Sequence, residues 1–355
     1  KGKAHKQAPL TTTHSQLKAK AKTAVLSAAP KKIRVTPTHA AKKTKTKIAA
    51  VPPSMATQTR QQSRASQQQA LAALKRQLAA QRQHEAADAI DVPQKKLSCR
   101  SAYIMDAETG KPLFSQAGDL PGQPASTIKV VTGLIAIENL HDRDLVHASS
   151  YAASMPRSKV YLKPGAAYPA DDLINAVLLA SANDASVALA EKLAGSEEAF
   201  ARLMTRKAQA LGAHNTICKS ANGLTKPGQQ TTARDLAVIF NQAMQNRDFA
   251  ERMGATTART SDGKTLHSHN KALWTVDGAV GGKTGYTDVA RKTYVGKFQR
   301  GSQSIIVALM GSEAMWKDIA TLVEQGFDLQ QEDAMRVAAK RSNNSITDHR
   351  QATRL

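Results

Sequence analysis

Aromatic side chains are scarce: Phe, Trp and Tyr number 14 in 355 residues, and none precedes Tyr103. Cysteine is scarcer still. Two residues, Cys99 and Cys218, are too few for a disulfide framework and lack metal-ligand spacing. They leave two readings, one bridge in an oxidising compartment or two buried thiols. No run of 18 apolar residues occurs, so no segment is suited to cross a membrane as a helix. Acidic residues are nearly missing from the first 98 positions, with 3 Asp/Glu against 20 Lys/Arg, which is +17 of the chain's +22. A stretch with that charge and no aromatic ring buries too little apolar surface to offset its ordering entropy. A folded core is therefore excluded there. The remaining 257 residues carry 30 Lys/Arg against 25 Asp/Glu and all the aromatics. They are enough for one substantial domain.

The composition divides the chain. Residues 1–65 read as a disordered basic arm, a solvated tether that would also attract polyanions. Nucleic acid is not the expected partner, because neither interleaved aromatics nor a folded reading element is present. Anionic cell-envelope polymers fit the same charge. Residues 66–92 are rich in Ala, Gln and Leu, and Leu71, Leu74 and Leu78 form a narrow helical stripe that Pro93 ends. The chain opens at Lys1 without a charged-then-apolar leader, which a processed signal peptide or a truncated start both explain.

From Cys99 the texture is globular. Strands are expected at 101–105, 113–115, 279–282, 293–298 and 304–310, with Gly301-Ser302 turning between the last two. Apolar spacing predicts helices near 126–140, 171–180, 184–194, 197–211 and 232–245. A final helix at about 314–330 is expected to run into a polar tail, 331–355. Strands at both ends with helices between imply one α/β domain over 99–330, its antiparallel sheet assembled from the chain extremes and flanked by helices, with a helical subdomain.

Three short motifs carry chemistry. In Ser126-Thr-Ile-Lys129 a hydroxyl and an amine three apart share a helix face, so a neutral lysine could take the serine proton. The plain alternative for Ser126 is an N-cap, and S-x-x-K recurs at Ser15–Lys18 and Ser261–Lys264. Ser181-Ala-Asn183 lies between two helical stretches, as a turn or as a hydroxyl and amide facing a cleft. The S-x-N pattern also recurs, at Ser220–Asn222 and Ser342–Asn344. Lys283-Thr-Gly285 occurs once, after Gly281-Gly282 and before Tyr286. A lysine on an edge strand with flanking glycines suits an extended, carboxylate-bearing substrate.

Taken together and in this order, the motifs resemble the signature set of penicillin-binding proteins and class A β-lactamases. The wider likeness is to the low-molecular-mass penicillin-binding proteins, serine-type D-alanyl-D-alanine carboxypeptidases. It extends to Met105–Gly110, Pro124–Lys129, Tyr161–Gly165, Asn183–Glu191, Asn222-Gly-Leu224, Thr231–Asp235 and Val280–Thr287, within about 99–326. The resemblance implies a penicillin-binding-protein/β-lactamase-like transpeptidase fold. It also implies a hydrolase that removes the terminal D-alanine from peptidoglycan stem peptides, binds β-lactams and needs no metal or cofactor. Ser126 would form the acyl-enzyme with Lys129 as base, its pKa lowered by the Lys283 charge. Ser181 would relay the proton. Asn183 would hold the substrate backbone and steady Lys129. Lys283, Thr284 and Gly285 would bind the terminal carboxylate strand, and the N–H groups of Ser126 and Tyr286 would form the oxyanion hole. Work in the periplasm or cell envelope is expected, because that is where the substrate lies.

The departures from the family are also informative. Many members carry a β-rich second domain and a C-terminal amphipathic anchor. Only a polar tail follows the last helix here, so both are expected to be missing, with the N-terminal segment replacing the anchor. Ala290-Arg291-Lys292 puts a bulky cation after Ala290. A D,D-endopeptidase cutting cross-links fits the same motifs. A class A β-lactamase needs a deacylating Glu in an E-x-x-L-N pattern, and none lies between Ser181 and Lys283, so slow deacylation is expected. A zinc peptidase has only His267-Ser-His269 to draw on. A catalytically inactive envelope-binding protein would be expected to have lost the nucleophile or the lysine, and both are present.

Overall fold

The computed structural model of the chain describes residues 96–352, with side chains described up to residue 338. The expected basic arm (1–65) and Ala/Gln/Leu-rich helix (66–92) lie outside the described residues. Five antiparallel strands form the main sheet: β1 (Ser101–Asp106), β2 (Pro112–Gln116), β7 (Ala279–Thr287), β8 (Arg291–Arg300) and β9 (Gln303–Ser312). Their order is β2-β1-β9-β8-β7, so the first strand pairs with the last and the sheet joins the two ends of the domain, as expected. The K-T-G segment lies in β7, an edge strand.

The period of two decides which face each strand residue covers. Ala102 and Ile104 of β1 and Ile305, Val307 and Leu309 of β9 pack on one side of the sheet. Tyr103, Met105, Ile306, Ala308 and Met310 pack on the other. Both faces are covered, so β9 is apolar almost throughout. The first side takes α9 (Met315–Ala352) through Ile319, Leu322, Val323 and Phe327. The second takes the helical body. On the first side also lies α8 (Ala272–Thr275), whose Ala272 joins the same cluster, while the members of the helical body are α1 (Lys129–Asn139), α2 (Ser150–Ala153), α3 (Ala170–Leu178), α4 (Asn183–Ala194), α5 (Glu197–Ala210), α6 (Ala233–Ala243) and α7 (Arg247–Gly254). Two short antiparallel pairs complete it, β3 (Leu145–His147) with β4 (Ala167–Pro169) and β5 (Thr257–Arg259) with β6 (Thr265–His267).

Local chemistry sets the helix ends. Ser196, Thr232 and Asn246 cap α5, α6 and α7, each accepting from the backbone N–H three residues on. Gly195 closes α4 in the left-handed conformation. Helix α1 runs through the middle of the body, with Val130, Val131, Leu134 and Ile135 all buried, which is why it is apolar on every side.

One expectation needs correction. The segment after 330 is not a loose polar tail, because α9 continues to Ala352. Its outer half has no apolar stripe to mark it, yet Ala, Arg, Lys, Met and Gln make up about half of it, it holds no Gly or Pro, and a 2.6 Å Lys111–Asp333 ion pair ties its base to the sheet. Of the two readings of the cysteines, the one that holds is two buried thiols. Cys99 and Cys218 are both free, and they belong to the apolar clusters on opposite faces of the sheet. Burial pushes both thiols up to about 12, so neither carries thiolate character at neutral pH.

Candidate active site

Ser126 lies in a 3-10 turn, Ala125–Ile128, that leads directly into α1. The turn is pinned from two sides. Thr127 and Thr293 both donate their hydroxyls to the Pro124 carbonyl, at 2.6 and 2.9 Å. Ala125 has φ of 49°, and Ser181, at the junction before α4, has φ of 56°. Left-handed backbone at two non-glycine residues costs energy that the surrounding packing must hold. Both flank the same cleft.

Lys129, the first residue of α1, has 0% of its surface exposed. Its Nζ lies 2.9 Å from Ser126 Oγ, 2.7 Å from Asn183 Oδ1 and 2.6 Å from the Asn222 carbonyl oxygen. Two of these neighbours are pure acceptors. A neutral amine has two N–H donors and one lone pair. With both donors given to Asn183 and Asn222, the lone pair is left for Ser126. Burial holds the Lys129 pKa well below its ordinary value, with the Lys283 charge adding to the fall and Asp184 opposing it. The Lys283 cation named from the motifs is therefore the second cause, and desolvation is the first.

Lys283 is also buried, and desolvation lowers it to about 7. Its Nζ donates to Ser181 Oγ at 2.9 Å and to the Thr284 carbonyl at 3.0 Å. Asn183 turns its Oδ1 to Lys129 and its Nδ2 to the carbonyls of Pro156 and Arg157, both at 3.0 Å. Its described contacts thus orient the lysine and a neighbouring loop. Holding substrate, as expected from the motif, would require Nδ2 to give up one of those carbonyls.

Glycines let these pieces approach. Gly223 has φ of +81°, and a Cβ there would sit 2.0 Å from the Ala125 carbonyl oxygen. At Gly285 a Cβ would sit 2.7 Å from the Ser126 backbone nitrogen. The Ser126 and Tyr286 ends of the site are therefore in close register.

The cleft has a volume of about 460 Å³, and Ser126, Ser181, Asn183, Thr284, Gly285 and Tyr286 all line it, with Lys129 and Lys283 beneath. All eight residues singled out from the three motifs thus meet in one place. Sequence reasoning missed several others. The Asn222 carbonyl belongs to a segment noted only for its likeness. Thr293, Arg157, Lys292 and Trp316 carried no motif. His269 was weighed only as half of a metal pair, but it lines the cleft, whereas His267 is exposed in β6. Burial, with the Lys283 charge second, pushes His269 down to about 4. Among the described residues no group of three His, Cys, Asp or Glu is placed to hold a metal ion.

The chain matches the family model for D-alanyl-D-alanine carboxypeptidase, peptidase S11, over residues 87–314. It is 37% identical over 237 residues to D-alanyl-D-alanine carboxypeptidase DacB2 of Mycobacterium tuberculosis, covering 64% of this chain and 81% of that protein. Identity to DacA of Escherichia coli K12 is 33% over 235 residues, and the chain spans 57% of that relative's length. A crystal structure of D-alanyl-D-alanine carboxypeptidase from M. tuberculosis H37Rv superposes with a TM-score of 0.64 at 33% identity, covering 67% of this chain and 94% of that one. The Streptomyces K15 DD-transpeptidase does so at 0.61 and 26%, covering 67% and 100%.

Proposed function

The chain belongs to the peptidase S11 family of D-alanyl-D-alanine carboxypeptidases, and from that premise we propose that it removes the terminal D-alanine of peptidoglycan stem peptides through an acyl-enzyme on Ser126. The observation that carries the reading is the buried Lys129 amine, with two carbonyl acceptors on one side and the Ser126 hydroxyl on the other. In this mechanism Lys129 takes the Ser126 proton as Oγ attacks the carbonyl between the two D-alanines. The Ser126 and Tyr286 N–H groups stabilise the oxyanion, each donor worth roughly 3 kcal/mol. As the C–N bond breaks, the proton passes by way of Ser181 to the leaving amine. Water then releases the shortened peptide and regenerates Ser126. Lys283 and Thr284 bind the substrate's terminal carboxylate, and the β7 edge takes the extended peptide as an added strand.

Among the described residues no Asp or Glu lines the cleft to activate a deacylating water, which supports slow release of a bound penicillin. Penicillins therefore inhibit in this reading. The test is D-alanine release from a synthetic stem pentapeptide by the native protein, with Ser126→Ala and Lys129→Ala as controls. Release that survives either substitution would overturn it. The substrate lies outside the cytoplasmic membrane, so the reading carries an exported protein of the cell envelope. Within it, the +17 of residues 1–98 supplies affinity for anionic envelope polymers.

A further inference from the structure

Two cations on the cleft wall have no part in the chemistry above. Lys292, half-buried at the start of β8, and Arg157, exposed in the loop before β4, both line the cleft, and among the described residues no carboxylate does. Among the described residues neither makes an ion pair, and the Lys292 charge only adds, behind Arg291, to holding the Glu313 carboxyl below its ordinary value. Arg157 donates from Nε and Nη2 to the Tyr161 hydroxyl, both at 3.3 Å, and Lys292 donates to the Glu313 backbone carbonyl at 2.5 Å. Acids close by in sequence are committed elsewhere. Asp184 accepts from the Val160 and Leu162 amides, Asp288 from the Tyr286 hydroxyl, and Glu313 from the Arg291 guanidinium at 2.7 Å.

The direction of the bound peptide says what these cations meet, and this step rests on the proposed function. With the terminal carboxylate at Lys283 and Thr284 and the reacting carbonyl at the Tyr286 N–H, the peptide runs up the β7 edge and continues past Tyr286. Lys292 is the cross-strand partner of Tyr286, so it stands beside the residues upstream of the cut bond. Arg157 flanks the opposite wall, where its carbonyl accepts from Asn183 Nδ2 at 3.0 Å.

We propose that Lys292 and Arg157 select stem peptides with a free carboxylate upstream of the D-alanyl-D-alanine bond. A carboxylate there supplies the ion-pair partner that both cations lack. A carboxamide supplies none, and an ammonium side chain meets like charge.

The test uses two stem pentapeptides that differ only in a carboxylate or a carboxamide on the third side chain, with kcat/KM read from D-alanine release. The native protein favours the carboxylate peptide by about fivefold at low salt, the scale of one partly exposed ion pair, and the gap narrows at high salt. Replacing both cations, Lys292→Gln with Arg157→Gln, brings the ratio towards one, chiefly through KM, whereas Lys292→Arg keeps it. Equal turnover of the two peptides by the native protein, or a ratio that persists in the double Gln variant, overturns the inference. If the native protein still forms a benzylpenicillin adduct in that case, the proposed function stands without the selectivity. If it forms no adduct and releases no D-alanine, both fall.

Discussion

Lys129 and Lys283 divide one problem between them, since one must be neutral to take a proton and the other charged to hold a carboxylate. Both are buried, and the pH dependence follows from the sign of each shift. Protonating Lys129 removes its lone pair, so activity falls as pH drops through its lowered pKa. Lys283, near 7 in the free protein, loses its charge as pH rises, so carboxylate binding fails on the alkaline side. The profile of kcat/KM is therefore expected to be bell-shaped, with its alkaline limb near pH 7. In Lys283→Arg that limb is expected to disappear, because a guanidinium stays charged. An unmoved limb would assign it to another group. At this scale much of the site was legible. Ser126, Lys129, Ser181 and the K-T-G residues announce themselves by side chain and spacing. The Asn222 carbonyl beside Lys129 does not, because a backbone oxygen leaves no mark in the residue code. The double use of Asn183 was hidden too, because its loop partners lie 26 and 27 residues away.

The site's elements are held by contacts that can be broken one at a time. Gly223 admits the Ala125 carbonyl where any side chain would collide with it. Gly223→Ala should displace the Ser126 turn, and a shift on the order of 1 Å is expected to slow penicillin acylation about 100-fold. Stopped-flow acylation measures this, and a change of less than about threefold, the scatter expected of a neutral substitution, would contradict the fit. On α9, two residues beyond the cleft-lining Trp316, buried Asp318 accepts from the Ser98 amide at 2.9 Å and from the Ser98 and Ser312 hydroxyls at 2.6 Å each. These bonds fasten the start of the domain to β9 and α9. Asp318→Ala leaves the donors unsatisfied and should cost about 1–3 kcal/mol in urea unfolding, with acylation intact. The long strands and main helices of these layers were readable because each repeats its apolar period several times. The four short strands β3 to β6, three residues each, were not, since so few positions carry no period. The outer half of α9 was missed for a related reason. It is largely polar and includes the weak helix formers of Ser342–His349, and such a stretch reads as tail.

At the scale of the whole molecule, one compact domain accounts for the chemistry and the basic segment for most of the charge. Removing residues 1–90 is expected to lower sedimentation with isolated cell wall at low salt, with the difference vanishing as salt rises. Equal sedimentation of both proteins across the salt series would contradict a wall-binding role. The domain's own claim is tested most directly by intact mass after incubation with benzylpenicillin, for the native protein and for Ser126→Ala. A lasting adduct of one penicillin on the native protein, absent from the variant, is the expected result. An adduct on both proteins, on neither, or one that turns over within seconds would contradict an acyl-enzyme formed by Ser126 in a site without a deacylating carboxylate.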